Sequence, residues 1–148
     1  MTQEEKDLLL KDLCARLPYR VKCNMNDRGV NIIGTLSSYR PLTDGSLLFG
    51  ICDKKYVAPD KYWQPNAMYS VEKVKPYLRS MSSMSREEEE KYDNLLMTIN
   101  DGCENTDYMP YSCMEYVDWL NAHHFDYRGL IEMGLALEAP EDMYDNKK

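Results

Sequence analysis

The sequence of 148 residues has no apolar run that approaches the roughly 20 residues needed to cross a membrane as a helix. Four acidic residues stand before position 13, which is unlike a secretory signal peptide. The five cysteines are odd in number and none are spaced as Cys-x-x-Cys, which argues against a disulfide framework and a zinc knuckle. We therefore expect a cytoplasmic protein whose cysteines are buried thiols.

Familiar catalytic and ligand-binding motifs are missing as well. The sequence contains neither a Gly-x-x-x-x-Gly-Lys phosphate loop nor a Gly-x-Ser-x-Gly nucleophile elbow. The acidic run 87–90 lacks the ligand spacing and the central glycine of an EF-hand calcium loop. Nucleotide hydrolysis, esterase chemistry by familiar routes and EF-hand calcium binding are therefore unsupported, and neither a cofactor nor a metal is predicted.

The length and composition of the sequence suffice for one folded domain. A chain of this length fits the commonest domain size, and twelve tyrosines and ten methionines supply contact area beside an apolar fraction of 43%. We predict a single domain over residues 1–148, ending in a flexible polar tail at 141–148.

Charge is divided unevenly along this chain. Residues 1–80 hold thirteen Lys and Arg against nine Asp and Glu, a net of +4, while residues 81–148 hold five against sixteen, a net of −11. This polarity indicates either that the two halves attract each other or that the protein has two faces with different partners.

The first half of the chain has the pattern of one helix followed by a β-rich part. Thr2 and Glu5 have capping-box spacing, so a helix is predicted over residues 3–16, stopped by Pro18. Residues 19–80 then predict an antiparallel meander with a helical turn near its end. Its strands are expected at 20–26, 30–39, 47–52 and, as an edge strand, 76–79. An SH3-like barrel has this outline, as do other strongly curved sheets.

Two further capping boxes predict helices in the second half. Ser85 and Glu88 open a helix that ends at Gly102, and its apolar stripe faces inward. Ser112 and Glu115 predict the start of a third helix.

The end of the chain predicts one more short helix. Asp126 is a suitable cap for a helix over 127–133, with Gly134 as its C-terminal residue. The predicted fold class is therefore α+β. It combines an N-terminal helix at 1–18, a small curved antiparallel sheet at 19–80 and a C-terminal helical subdomain at 81–140.

Both histidines of the chain, His123 and His124, lie at a junction between predicted helices. Adjacent side chains there point in different directions, so one imidazole could bind a metal or accept a proton. Because a third ligand at metal spacing is missing, histidines that hydrogen-bond to free carbonyls are the favoured interpretation. A Cys113–His124 dyad is disfavoured, because Cys113 lies on an apolar stripe that predicts burial. A metal-dependent or hydrolytic enzyme built on the pair remains an alternative.

The basic part of the chain suggests a second alternative. Residues 20–79 hold ten Lys and Arg against five acidic residues, interleaved with aromatics. Phosphate attraction and aromatic stacking are how small barrels hold single-stranded nucleic acid, although a pI near 4.9 opposes it. Arg40, Lys54 and Lys55 are the candidate contacts of such a nucleic-acid or nucleotide binder.

Three segments carry a resemblance to other proteins: EEKDLLLKDLCARLPYRVK at 4–22, SVEKVKPYLRSMSSMSREEEEKY at 70–92 and MEYVDWLNAHHFDYRGLIEMGLALEAP at 114–140. Together they resemble a group of small proteins of unknown function encoded by gut bacteria and their phages. The resemblance implies a role in phage or prophage biology and transfers no activity to any residue.

The function that this sequence favours is a non-enzymatic protein-interaction module with another protein as its partner and no contact with membranes. Aromatic and arginine side chains dominate binding energy at interfaces, and the helix signals of 114–140 do not account for the histidine pair and Arg128. The candidate binding residues are therefore Trp63, Trp119, His123, His124, Tyr127 and Arg128. The oligomeric state is left open.

Overall fold

A computed structural model describes residues 1–27, 29–52, 67–102 and 109–144. Within these ranges the chain forms an N-terminal helix, a curved six-stranded sheet and two C-terminal helices. The predicted α+β class is confirmed. In the described part of the chain, no helix combines the length and the apolar content needed to span a membrane.

Helix α1 covers Gln3–Arg16 and begins with the predicted capping box. The Glu5 backbone N–H donates to the Thr2 hydroxyl at 3.2 Å, and the Thr2 backbone N–H donates to the Glu5 carboxylate at 2.7 Å. Leu9 and Leu13 are fully buried in the core cluster formed with the sheet. The cap sets where the helix starts, and these leucines fix which face it buries.

Six strands make up the sheet, in the order β4-β3-β2-β1-β5-β6. They are β1 (Lys22–Asp27), β2 (Val30–Pro41), β3 (Leu47–Cys52), β4 (Ala67–Ser70), β5 (Val74–Leu78) and β6 (Leu137–Glu138). The first four pairings are antiparallel, whereas β5 and β6 are parallel. The sheet is therefore mixed, which corrects the expected antiparallel sheet. Within the described residues it is open, with β4 and β6 at its edges, so the SH3-like barrel stays a prediction.

Two details of the strands differ from the sequence-based expectation. β4 extends through Tyr69, where a helical turn was expected, and the 3₁₀ turn follows at Val71–Lys73. β5 is not an edge strand, because β1 pairs with one side of it and β6 with the other. The strand can carry Pro76 because β6 pairs only with Tyr77 and Leu78, beyond the proline.

Helix α2 covers Arg86–Gly102, with the bounds that the sequence predicts. The Ser85 N–H donates to the Glu88 carboxylate at 2.8 Å, and the Glu88 N–H donates to the Ser85 hydroxyl at 3.3 Å, which completes the predicted capping box. Tyr92 contacts Tyr116 of the next helix, with ring centroids 5.7 Å apart. This contact joins the two C-terminal helices as a pair.

Helix α3 covers Met109–Ala122 and begins earlier than predicted. Ser112 and Glu115, the expected capping box, therefore lie inside it. Pro110 explains the earlier start, because a proline in the first turn costs no hydrogen bond and has a backbone angle suited to the helix.

The predicted helix over 127–133 is absent, and the described chain forms turns there instead. Gly129 has a φ of 72°, which a continuous helix does not permit. Asp126 still acts as a cap, because its carboxylate accepts hydrogen bonds at 2.8 Å from the backbone N–H groups of Leu130 and of the following residue. Gly134, with a φ of 70°, ends these turns as predicted.

Candidate functional site

A surface cleft of about 470 Å³ lies where the end of β5, the start of α2 and the end of α3 meet. Its lining residues are Arg79, Ser85, Glu87, Glu88, Lys91, Trp119 and His123. We call it the Trp119 cleft. It contains two of the predicted binding residues, Trp119 and His123, which are one helical turn apart and therefore share a face.

The floor of the Trp119 cleft is an ion pair between Arg79 and Glu88. Two parallel hydrogen bonds of 2.7 and 2.8 Å join the guanidinium to the carboxylate, which also accepts from the Ser85 N–H. The guanidinium lies 4.4 Å from the centre of the Phe125 ring. The hydrogen bonds from Arg79, followed by the Ser85 N–H, hold the pKa of Glu88 at about 2 despite partial burial. The floor is therefore pre-organised and its charges are compensated.

The aromatic wall of the cleft consists of Trp119 and His123, whose ring centroids are 4.5 Å apart. The Phe125 ring packs against both rings, with its centroid 5.6 Å from that of Trp119 and 6.3 Å from that of His123. His123 Nδ1 lies 2.9 Å from the Trp119 carbonyl oxygen, which can only accept, so this nitrogen carries the proton. The same carbonyl also accepts the His123 backbone N–H at 3.1 Å, so it is not the free carbonyl that the sequence led us to expect. In the neutral tautomer that this bond selects, Nε2 is the acceptor nitrogen.

His124, the neighbour of His123, lies in a different environment. It is 7% exposed and has a φ of 60°, so its side chain turns away from the path of the helix. Its ring stacks on Tyr144, and its Nδ1 is buried with no hydrogen-bond partner in the described ranges. Burial first, and then the charge of Arg16 and other cations, lowers the pKa of His124 to about 4. His124 is therefore neutral at neutral pH.

Tyr127 and Arg128 lie against a buried ion pair of α1. Arg16 Nε donates to the Asp12 carboxylate at 2.7 Å, and both residues are fully buried. A second bond of 2.8 Å runs from Arg16 to the Phe125 carbonyl. Arg128 Nε lies 3.3 Å from the other Asp12 oxygen and stands over the Tyr127 ring. Arg128 thus has a structural role that the sequence did not reveal.

The remaining predicted residues are spread over the chain. Trp63, Lys54 and Lys55 lie outside the described residues. Arg40 is exposed near the end of β2, beside Tyr39, which is 52% exposed. Among the predicted binding residues that the structure describes, Trp119 and His123 share the cleft, and the others lie elsewhere.

The cysteines correct the expectation of uniformly buried thiols. Cys23 is buried, but Cys14 and Cys113 are exposed. Burial increases along α3 toward its C-terminal end, so Cys113 near the start faces solvent although it belongs to the apolar stripe. Most of the length of α3 separates Cys113 from the buried His124. The described structure therefore does not form the Cys113–His124 dyad.

Metal ligation by the described residues has no support in their geometry. Among them, no group of three His, Cys, Asp or Glu side chains is placed to hold a metal ion. Comparisons of the chain with protein-family models, curated proteins and solved structures found no match. The resemblance to proteins of gut bacteria and phages therefore stays a prediction.

Sequence reasoning missed two residues that organise this region, Arg79 and Tyr144. Arg79 looked like the last residue of an edge strand, and its distance of nine positions from Glu88 carries no local pattern. Tyr144 belongs to the segment predicted as a flexible tail, yet it packs against the core. A lone aromatic residue in an otherwise polar tail was the available signal.

Proposed function

We propose that this protein is a non-enzymatic protein-interaction module and that the Trp119 cleft is its docking site. The observation that carries the proposal is the close, tilted contact between the rings of Trp119 and His123, half-buried beside a charge-compensated ion pair. Tryptophan is among the residue types that contribute most binding energy at protein interfaces. A wall and floor that are already ordered reduce the entropy lost on binding.

The character of the cleft favours a partner protein over a small molecule. Small-molecule sites are mostly apolar and enclose most of the ligand, whereas this cleft is open and lined largely by charged and polar groups. Its aromatic wall and charged floor suit a side chain that projects from a partner and carries a hydrogen-bond donor for His123 Nε2.

The chemistry of the cleft also supports a binding role over a catalytic one. The Ser85 hydroxyl accepts the Glu88 N–H as a helix cap, and His123 Nδ1 bonds to a backbone carbonyl. Within the described chain Ser85 and His123 share no hydrogen bond, so they do not form the nucleophile and base of a hydrolase. Following the resemblance described above, we assign the interaction to phage or prophage biology, and following the composition of the sequence, to the cytoplasm.

Affinity capture with matched variants tests the proposal. The full chain is immobilised as wild type, as Trp119→Ala and as Tyr111→Ala, a control that truncates a 73% exposed tyrosine on the same helix. A specific partner from host lysate should bind wild type and control, and its affinity for Trp119→Ala should fall about thirtyfold, as for a hot-spot residue. Circular dichroism checks that each variant is folded. Equal binding to the folded Trp119→Ala variant would contradict the proposal.

A second candidate function is nucleic-acid binding by the sheet. The exposed side chain of Arg40 on β2 supports it, since its guanidinium offers a phosphate contact. Binding to a single-stranded oligonucleotide should then weaken as salt rises and should be lost in Arg40→Glu. Affinity that does not depend on salt rejects this alternative.

A further inference from the structure

We propose that the structure contains a binding site for a phenol side chain and that the protein's own Tyr144 occupies it as an internal ligand. The site, here called the Tyr144 recess, is formed by the His124 ring, the Lys22 backbone N–H and the Tyr77 backbone carbonyl. It is distinct from the Trp119 cleft, and the proposal does not depend on the interaction proposed there.

The wall of the Tyr144 recess is a fixed aromatic surface. The Tyr144 and His124 rings are stacked, with centroids 3.8 Å apart and planes 25° from parallel. His124 is held in place by its backbone, because its N–H donates to the Asn121 carbonyl at 3.1 Å and its carbonyl accepts from the Arg79 N–H at 2.8 Å. The backbone that carries the His124 ring is therefore held by bonds that do not involve Tyr144.

The far end of the recess is specific for a hydroxyl group. The Tyr144 hydroxyl accepts the Lys22 N–H at 3.0 Å and donates to the Tyr77 carbonyl at 2.7 Å. β1 and β5 pair directly from Met25↔Val74 to Cys23↔Pro76, so Lys22 and Tyr77 would form the next pair in register. The hydroxyl stands between these two residues in place of a direct ladder bond. A phenylalanine ring would fill the space but would leave the donor and the acceptor without this partner.

Few bonds hold the occupant in the recess. Ala139 donates to the Leu78 carbonyl at 2.7 Å, and the chain then continues through the exposed residues 140–142. Within the described residues, the hydrogen bonds that connect 139–144 to the sheet come from Ala139 and the Tyr144 hydroxyl alone. A segment with so few attachments can open locally while the rest of the fold stays intact.

Tyr144 blocks the recess because it is covalently linked to the same chain. A short tether gives Tyr144 an effective concentration on the order of millimolar, so a tyrosine from another chain competes with it poorly. The C-terminal segment is therefore an autoinhibitory contact, and removing the Tyr144 side chain should expose a site that accepts a phenol.

The test measures binding of p-cresol, the tyrosine side chain as a free molecule, to full-length Tyr144→Ala. Toluene, the phenylalanine equivalent, is the comparison ligand. Amide chemical shifts of Lys22 should change with p-cresol, and its affinity should exceed that of toluene about tenfold, the value of a hydrogen bond worth about 1.4 kcal/mol. Wild type should bind neither at this site, because its recess is filled. Tyr111→Ala, which removes an exposed tyrosine elsewhere, should behave as wild type.

Equal affinity for the two ligands, or no response of Lys22 to p-cresol, would overturn the proposal. If Tyr144→Ala is largely unfolded, p-cresol should restore folded protein by mass action, and failure to do so also counts against the site. Tyr144→Phe gives an independent measurement by hydrogen exchange. Its Lys22 amide should exchange about tenfold faster than in wild type while the Ala139 amide stays unchanged, and an unchanged Lys22 amide rejects the role of the hydroxyl.

Discussion

His124 and Tyr144 stack face to face with ring centroids 3.8 Å apart, although twenty residues separate them in the sequence. This contact turns His124 toward the C-terminal segment, while the adjacent His123 lines the Trp119 cleft. The two histidines thus differ in environment and in role. One is buried against a tyrosine ring, and the other lines a surface cleft.

Stability should depend on pH through His124. Its pKa is about 4 in the folded protein against an ordinary value of 6.5, so the unfolded chain takes up the proton first. The free energy of unfolding should therefore be unaffected by this residue above pH 6.5 and fall between pH 6.5 and 4, by up to about 3 kcal/mol.

Urea denaturation at several pH values checks this dependence, with His124→Asn as the comparison. Asparagine does not titrate and tolerates a positive φ, so the variant should show a shallower loss of stability on acidification. An NMR titration that places the His124 pKa near its ordinary value would contradict the expectation.

The buried ion pair of Asp12 and Arg16 should respond asymmetrically to substitution. Asp12→Ala leaves the Arg16 guanidinium buried without its carboxylate and should cost about 3–5 kcal/mol. Asp12→Leu combined with Arg16→Met removes both charges and should restore much of that loss. Urea denaturation measures both.

The exposed pair of Lys6 and Glu72 is a matched control for that experiment. Its side chains are 32% and 52% exposed, so Glu72→Ala should cost at most about 1 kcal/mol. A cost for Asp12→Ala no larger than this control would show that the buried pair is not needed for stability.

The ion pair in the floor of the Trp119 cleft should be measurable through its effect on the pKa of Glu88. In Arg79→Met the carboxylate loses its two hydrogen bonds from the guanidinium, so its pKa should rise from about 2 toward 4.5. The stability that Glu88 contributes in wild type is present above pH 4.5 and is lost as pH falls toward 2. Carboxyl-carbon NMR shifts measure the pKa, and Arg86→Met, which alters the exposed pair of Arg86 and Glu90, should leave it unchanged.

The cysteines should differ in their reactivity toward iodoacetamide. Cys14 and Cys113 are exposed and should be alkylated in the native protein. Cys23 is buried and burial raises its pKa, so it should react slower by a factor on the order of a thousand, when the protein opens. A short pulse followed by peptide mass spectrometry gives the rate at each site. Alkylation of Cys23 at the rate of Cys113 would contradict the packing described here.

Much of the fold was predictable because its signals are local. The boxes of Thr2 with Glu5 and of Ser85 with Glu88 place the starts of α1 and α2, since each box satisfies free amide groups within one turn. Strand β2 follows from a run rich in β-branched residues and β3 from a run of apolar residues, and turn-forming residues separate β1, β2 and β3. The α+β class then follows from the order of these elements.

Local signals were misleading where two of them compete. Ser112 and Glu115 have the spacing of a cap, but Pro110 lets α3 start earlier, so both lie inside the helix. Asp126 does cap a turn, yet Gly129 adopts a positive φ and stops a helix from forming. Neither outcome follows from the spacing of the cap residues alone, because the packing of nearby segments of the same chain selects between the competing signals.

The amino-acid sequence by itself determined the starts of α1 and α2, the division of charge and the residue types available to a site. The tertiary structure alone decided which of those residues meet. Arg16 donates a hydrogen bond to the Phe125 carbonyl, 109 positions away in the sequence. Arg79 donates to the Glu88 carboxylate, which lies beyond a turn in the first turn of α2. Capping bonds act over three or four residues and can be read from spacing. Contacts between distant residues exist only after the sheet and helices have packed, because burial sets their positions and their charge states.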